Sequence, residues 1–223
     1  MSRDTSGLPA NTGRLTRAGA WAWIATVEFF AIQLVAQTAA PAFSMTRHDI
    51  SALGIPVCGQ PVAVCSPLHP LFDAGLILVG ILTTAGALLT WRAWPGGAIS
   101  RVGLGLLAIA GLGAIVAGVA DVHTRPTAHA IGASLDFGAG GLGMMMMGLA
   151  CRRRAPGLAW FSAAAGSIVV VAFLLYATGL YLGIGRGGME RVAAISATLW
   201  FVLTGVWLLG RIHRSNRAAT ADR

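Results

Sequence analysis

The chain has 223 residues, of which 56% are hydrophobic and 11% charged, and its mean hydropathy is +0.72. Soluble domains carry roughly 25% charged residues, so this composition excludes a water-soluble globule: too little polar surface exists to cover it. The formal charge of +8 comes from 16 arginines without a lysine; these sit at the ends of apolar runs, which excludes a nucleic-acid-binding stripe and reads as membrane orientation.

Residues 1–17 are polar and Arg-rich and predict a disordered cytoplasmic tail. The apolar run 18–40 follows Arg3, Arg14 and Arg17 as a secretory signal would, but it has spanning length and contains Glu28. A signal's apolar region is only ~7 to 15 residues long, so the run reads as a retained helix. The outer loop 41–67 holds His48, Asp49 and Ser51, and its Cys58 and Cys65 are expected to form a disulfide staple on the oxidising side. Ser66 and Pro67 cap the second span, 68–91. There His69 and Asp73 stand four residues apart on a helical face that Gly80 and Thr84 continue.

The third span, 102–120, has Ala114 and Gly118 at a spacing suited to close packing. A loop with Asp121, His123 and Arg125 leads through Pro126 into the fourth span, 127–150. His129 and Asp136 lie seven residues apart on it, with Gly132, Gly140 and Gly143 on the same side. The run Met144 to Met147 wraps a full turn, so it fills gaps and cannot aim its sulfurs at one copper. Cys151 is expected to stay reduced. The spans 158–181 and 192–211 flank a loop carrying Arg186, Glu190 and Arg191, and 212–223 predicts a second cytoplasmic tail.

A helix needs about 20 apolar residues to cross a bilayer, and six segments satisfy this. Twelve arginines fall on the side of the termini and four on the other, so both ends are expected inside. Trp21, Trp23, Trp91, Trp94, Trp160 and Trp207 fall near the same inner boundary, where indole rings settle at headgroup depth. The predicted fold is all-α: a polytopic transmembrane bundle of six helices, multi-pass in the cell membrane.

Three stretches carry a wider pattern: PAFSMTRHDISALG at 41–54, VCSPLHPLFDAG at 64–75 and GMERV at 188–192. Together they make the chain resemble a bacterial and archaeal membrane family of unknown function, numbered nine-nine-eight. The resemblance runs from the first helix to the last and is most specific at Ile50–Gly54, where Ala52 stands in place of an Asp that many members carry. It implies a six-helix bundle and no established activity.

Function is therefore argued from residues. A charged side chain at a helix centre costs about 2.5 to 3.5 kcal/mol by insertion scales, yet Glu28, Asp73 and Asp136 lie in spans that hold no arginine. They are expected to converge with His69 and His129 as a catalytic group near the outer leaflet. His48, Asp49, Ser51, Asp121, His123, Arg125, Arg186, Glu190 and Arg191 would line its mouth. The bland alternative is that the Asp–His pairs lock the bundle and the outer charges form a solvated rim.

The chemistry this set suits is acid/base catalysis on a lipid or isoprenoid substrate, such as isoprenoid cyclisation. A metal held by His69, His129 and Asp73 for lipid hydrolysis is the variant, but HxxxH and HExxH spacings are missing, and neither metal nor cofactor is expected. The alternatives are a proton-coupled small-molecule transporter with the three carboxylates as relay, a haem protein using His69 and His129, and a non-catalytic membrane subunit. The expected partners are the bilayer and a hydrophobic small-molecule or lipid substrate, without nucleic acid.

Overall fold

The computed structural model describes residues 10–57 and 64–221, and all regular elements among them are helical. Helices α1 (Ala10–Ala25) and α2 (Glu28–Thr38) make the first span, and α3 (His69–Thr90) and α4 (Ala98–Val119) the second and third. The fourth consists of α5 (Pro126–Ser134), a wide π turn over Leu135–Ala139 and α6 (Gly140–Cys151). Helices α7 (Pro156–Ala177) and α8 (Arg186–Ala221) complete the bundle. The six spans have mean hydropathies of 1.2 to 2.3 and lengths of 22 to 30 residues, enough to cross a hydrocarbon core. The protein is an integral membrane protein.

Local sequence explains the helix boundaries. Proline occupies the first turn of α3, α5 and α7, where its missing N–H has no intrahelical partner to lose; in α3 it is Pro70, with Leu68 at the cap and the Ser66 hydroxyl turned to the Leu53 carbonyl, which corrects the expected Ser66–Pro67 cap. Helix α8 starts at Arg186, earlier than the apolar run at 192, because Arg186 and Arg191 find acceptors and need no loop. Helix α1 begins at Ala10 and α8 runs to Ala221, so the described parts of the two polar tails are helical. Cys58 lies outside the described residues, so its staple with Cys65 stands as an expectation.

The first span tightens between α1 and α2. The Thr26 hydroxyl donates to the Trp23 carbonyl at 2.7 Å, and the amides of Thr26, Val27 and Phe29 each donate to the carbonyl three residues back. A side-chain donor competing for a helix carbonyl tightens the helix at that point. Glu28 thereby becomes the first residue of α2.

Consecutive spans run antiparallel and approach closely through glycine. A Cβ on Gly80 would strike the carbonyl of Gly111 on α4, and Thr84 donates to the Ala108 carbonyl at 3.3 Å. The Gly80–Thr84 face is packed against α4. Gly132 and Gly143 similarly meet α4 at Ala117 and Leu107. Met144 and Met147 are fully buried in the main core.

That core is aromatic toward the Arg-rich end. Trp23 packs against Trp94, Trp200 and Phe201 with ring centroids 5.5 to 6.0 Å apart. Each buried indole N–H has an acceptor: Trp23 the Thr83 carbonyl, Trp94 the Thr90 hydroxyl and Trp200 the Ser162 hydroxyl. Trp21, Trp91 and Trp160 are exposed at this same end, as a headgroup-level belt requires.

Candidate functional site: a cavity at the centre of the bundle

At the centre of the bundle is a cavity of about 70 Å³, walled by Phe29, Phe72, Leu76, Val79, Phe137 and Phe201. His129, Asp136, Glu190 and Ser51 supply its main polar groups, with threonines at 26, 83 and 198. From Glu190 to Phe201 the α8 lining extends over roughly 16 Å of helix rise. The Arg-rich end is closed by Phe201 packed on Trp23 and Trp200, both fully buried.

The chemistry of each polar group follows from what holds it. His129 is buried, and its Nδ1 lies 2.8 Å from the Ala120 carbonyl and 3.0 Å from that of Ala117. Both partners only accept, so Nδ1 carries the hydrogen. With Nδ1–H committed to these carbonyls, Nε2 is the remaining polar atom of the ring and meets no hydrogen-bond partner among the described residues. Asp136 sits in the π turn, a feature frequent at functional sites, and makes no hydrogen bond or ion pair among the described residues. Glu190 is satisfied on one side: the Ile50 amide donates to its Oε2.

The five residues expected to converge do not form one cluster. His129 and Asp136 share the cavity. His69 and Asp73 make a separate pair, Nδ1 to Oδ2 at 3.7 Å, with the Asp73 carboxylate lying over the Cα of Gly54. Glu28 is elsewhere again: both its oxygens are enclosed without a hydrogen-bond partner, and it is absent from the cavity wall. The alternative metal set of His69, His129 and Asp73 is therefore split, and no group of three or more His, Cys, Asp or Glu that could hold a metal stands among the described residues.

The mouth residues divide as well. Ser51 and Glu190 belong to the cavity wall itself. Asp121 and His123 form a capped turn at another corner, where Asp121 accepts from the amides of His123 and Thr124 at 2.9 and 2.8 Å and from the Thr124 hydroxyl. Burial pushes the Asp121 carboxyl up, but these hydrogen bonds outweigh it and hold the group below the usual carboxylate range.

The sequence pattern of the family described as "Protein of unknown function (DUF998)" matches residues 14–207, nearly all of the bundle. The chain belongs to this family. No curated protein and no solved structure matches it.

In this DUF998 protein the loop after the first span closes the cavity. Ile50 and Ser51, in the short helical turn Ile50–Gly54, line it from above. The Ser66 hydroxyl pins that turn by donating to the Leu53 carbonyl at 2.6 Å. Arg191 is buried and donates to the carbonyls of Met45, His48 and Gly187 and to Gln37 Oε1. Asp49 accepts from Arg186 Nε and Nη2, both at 2.9 Å, and from the Tyr176 hydroxyl at 2.9 Å. His48 accepts from the Ser44 amide at 2.9 Å and packs against Phe43 with the rings tilted by 46°. His48, Asp49 and Arg191 thus fasten the loop.

Sequence reasoning missed Tyr176 and Gln37 as polar partners. Tyr176 carried a signal, being one of only two tyrosines in the chain and sited at an outer helix end. Gln37 carried none beyond its polarity.

Proposed function

We propose that this protein is a membrane-embedded acid/base enzyme that acts on the polar end of a slender hydrophobic molecule, of lipid or isoprenoid type, entering the central cavity. The observation that carries this is the pairing, in one apolar chamber, of an imidazole with its Nε2 lone pair unengaged and a carboxyl group without a partner. Asp136 in its acid form donates a proton to the substrate, and His129 Nε2 accepts one. Glu190, holding the Ile50 amide, ties the closing loop to the same chamber. The reading also includes an inside location of both termini, placement in the cell membrane and the Cys58–Cys65 staple, on the arginine bias and the loop's composition.

A volume of about 70 Å³ admits a few water molecules and is below the roughly 300 Å³ of ordinary ligand pockets. Substrate entry therefore parts the loop 41–57 or the walls. The aromatic floor supports a dead-end chamber over a path through the membrane.

The test is a lipid profile of cells lacking the protein, complemented with wild type or with His129→Gln, Asp136→Asn or Glu190→Gln. These three are expected to behave like the deletion, while Glu28→Gln and Asp73→Asn complement it. If all three cavity variants restore the wild-type profile, the proposal fails. Turnover of the altered lipid by purified protein in detergent, without any proton gradient, distinguishes catalysis from transport.

A further inference from the structure

At the Arg-rich end, away from the central cavity, the loops and helix ends leave a groove of about 440 Å³. Three guanidinium groups, Arg154, Arg211 and Arg214, line it beside Trp207, with Cys151 at its base. No carboxylate among the described residues pairs with any of the three. Like charges gathered around one groove repel, and an anion seated among them removes that cost.

The groove is also built on a rigid wall. Trp207 stacks on Trp94 at 6.1 Å with the rings 19° apart, and the Trp94 indole N–H is anchored on Thr90. Arg211 lies over the Trp207 ring, 4.8 Å from its centroid, which orients one guanidinium before any ligand arrives. Guanidinium forks match phosphate oxygens with paired hydrogen bonds. The volume is in the range of ordinary ligand pockets, and the depth is that of the indole belt, where phospholipid headgroups lie.

We propose that this groove binds the phosphate group of an anionic molecule, through Arg154, Arg211 and Arg214. The phosphate belongs either to the headgroup of an anionic phospholipid or to a soluble phosphate ester, and the site is independent of the chemistry assigned to the central cavity. Basic pockets between helix ends on the inner side of a membrane are suited to lipid headgroups.

The full-length protein, purified in detergent, is offered equal amounts of phosphatidylglycerol and phosphatidylcholine, and retained lipid is read by native mass spectrometry. In parallel its melting temperature is followed against inorganic phosphate and glycerol 3-phosphate. The variants are R154Q/R211Q and Arg211→Gln alone, the single change serving should the double variant fail to fold. R47Q/R125Q at the opposite end lowers the net charge equally.

Preferential retention of phosphatidylglycerol, weakened roughly 25-fold in R154Q/R211Q and about fivefold in Arg211→Gln but kept in R47Q/R125Q, establishes a lipid headgroup site. Stabilisation by glycerol 3-phosphate or phosphate without a lipid preference, lost in the same variants, assigns the groove to a soluble phosphate. Equal retention of both lipids with no phosphate effect overturns the proposal. So does equal weakening in R47Q/R125Q, which would make the attraction a property of overall charge.

Discussion

Asp136 is held in the interior without a hydrogen bond or ion pair, a position that costs solvation and returns none of it through contacts. Asp121, by contrast, recovers that cost through hydrogen bonds from the amides of His123 and Thr124 and from the Thr124 hydroxyl. Asp136→Asn is accordingly expected to leave the melting temperature unchanged or to raise it by about 2–4 °C, the shift roughly 1 kcal/mol produces in a chain of this size. Thermal unfolding followed by intrinsic tryptophan fluorescence checks this, and a fall of several degrees would make Asp136 a structural residue. Gly54 is the opposite case. A Cβ there would overlap the Asp73 carboxylate and come within 3.2 Å of the Phe72 ring. Gly54→Ala is expected to destabilise by about 1–3 kcal/mol, and Asp73→Ala in the same chain to relieve most of that, a non-additivity expected of side chains in contact. Denaturant titration of the two single variants and the double variant measures it. At this scale the sequence was legible in part. Intramembrane carboxylates and imidazoles could be named from their cost, but which of them meet depends on helix rotation, and the π turn in the fourth span re-aims Asp136 in a way that seven-residue spacing does not encode.

The helices themselves were readable because a bilayer imposes one length and one composition on every element that crosses it. What hydropathy does not carry is the path of polar chain between them. The loop 41–57 has no period to read, and its conformation comes from distant acceptors and donors: Asp49 on Arg186 and Tyr176, Ile50 on Glu190, Met45 and His48 on Arg191. Gly80 and Gly132 were ambiguous for a related reason, since glycine in a span serves close packing and open space alike. The neighbouring helix decides, and here α4 fills the gap. Because the loop is tied chiefly to the α7–α8 corner, Asp49→Ala should loosen it as a unit. Arg186 is exposed, so the pair contributes no more than about 1 kcal/mol, and amide exchange at Ile50 and Ser51 should accelerate by roughly fivefold while exchange in α4 stays unchanged. Hydrogen–deuterium exchange with peptide-level mass spectrometry resolves the two regions; equal acceleration in both would mean that Asp49 supports the whole bundle.

At the scale of the molecule the two ends differ in kind. One carries the loop-closed chamber and the Asp49–Arg186 latch; the other carries arginines, exposed indoles and the aromatic floor. The inward orientation proposed for the second end rests on the arginine bias; under it a fluorescent protein fused after Arg223 should fold and fluoresce, whereas a phosphatase that matures only outside the cytoplasm should be inactive there. The floor bears on the proposed choice between chemistry in place and passage across. A proton relay needs titratable or hydrated groups from one side to the other. Below Asp136, however, the chamber narrows onto Phe201, and beneath that lie Trp23, Trp200 and Trp94, their indole N–H groups already committed to protein acceptors. Those rings offer protons no relay. In sealed vesicles carrying a pH-sensitive dye, the purified protein should thus pass protons no faster than protein-free vesicles under an imposed pH gradient. A flux that depends on added solute and disappears in Asp136→Asn would show that the floor opens, and would make the same carboxylate a transport residue.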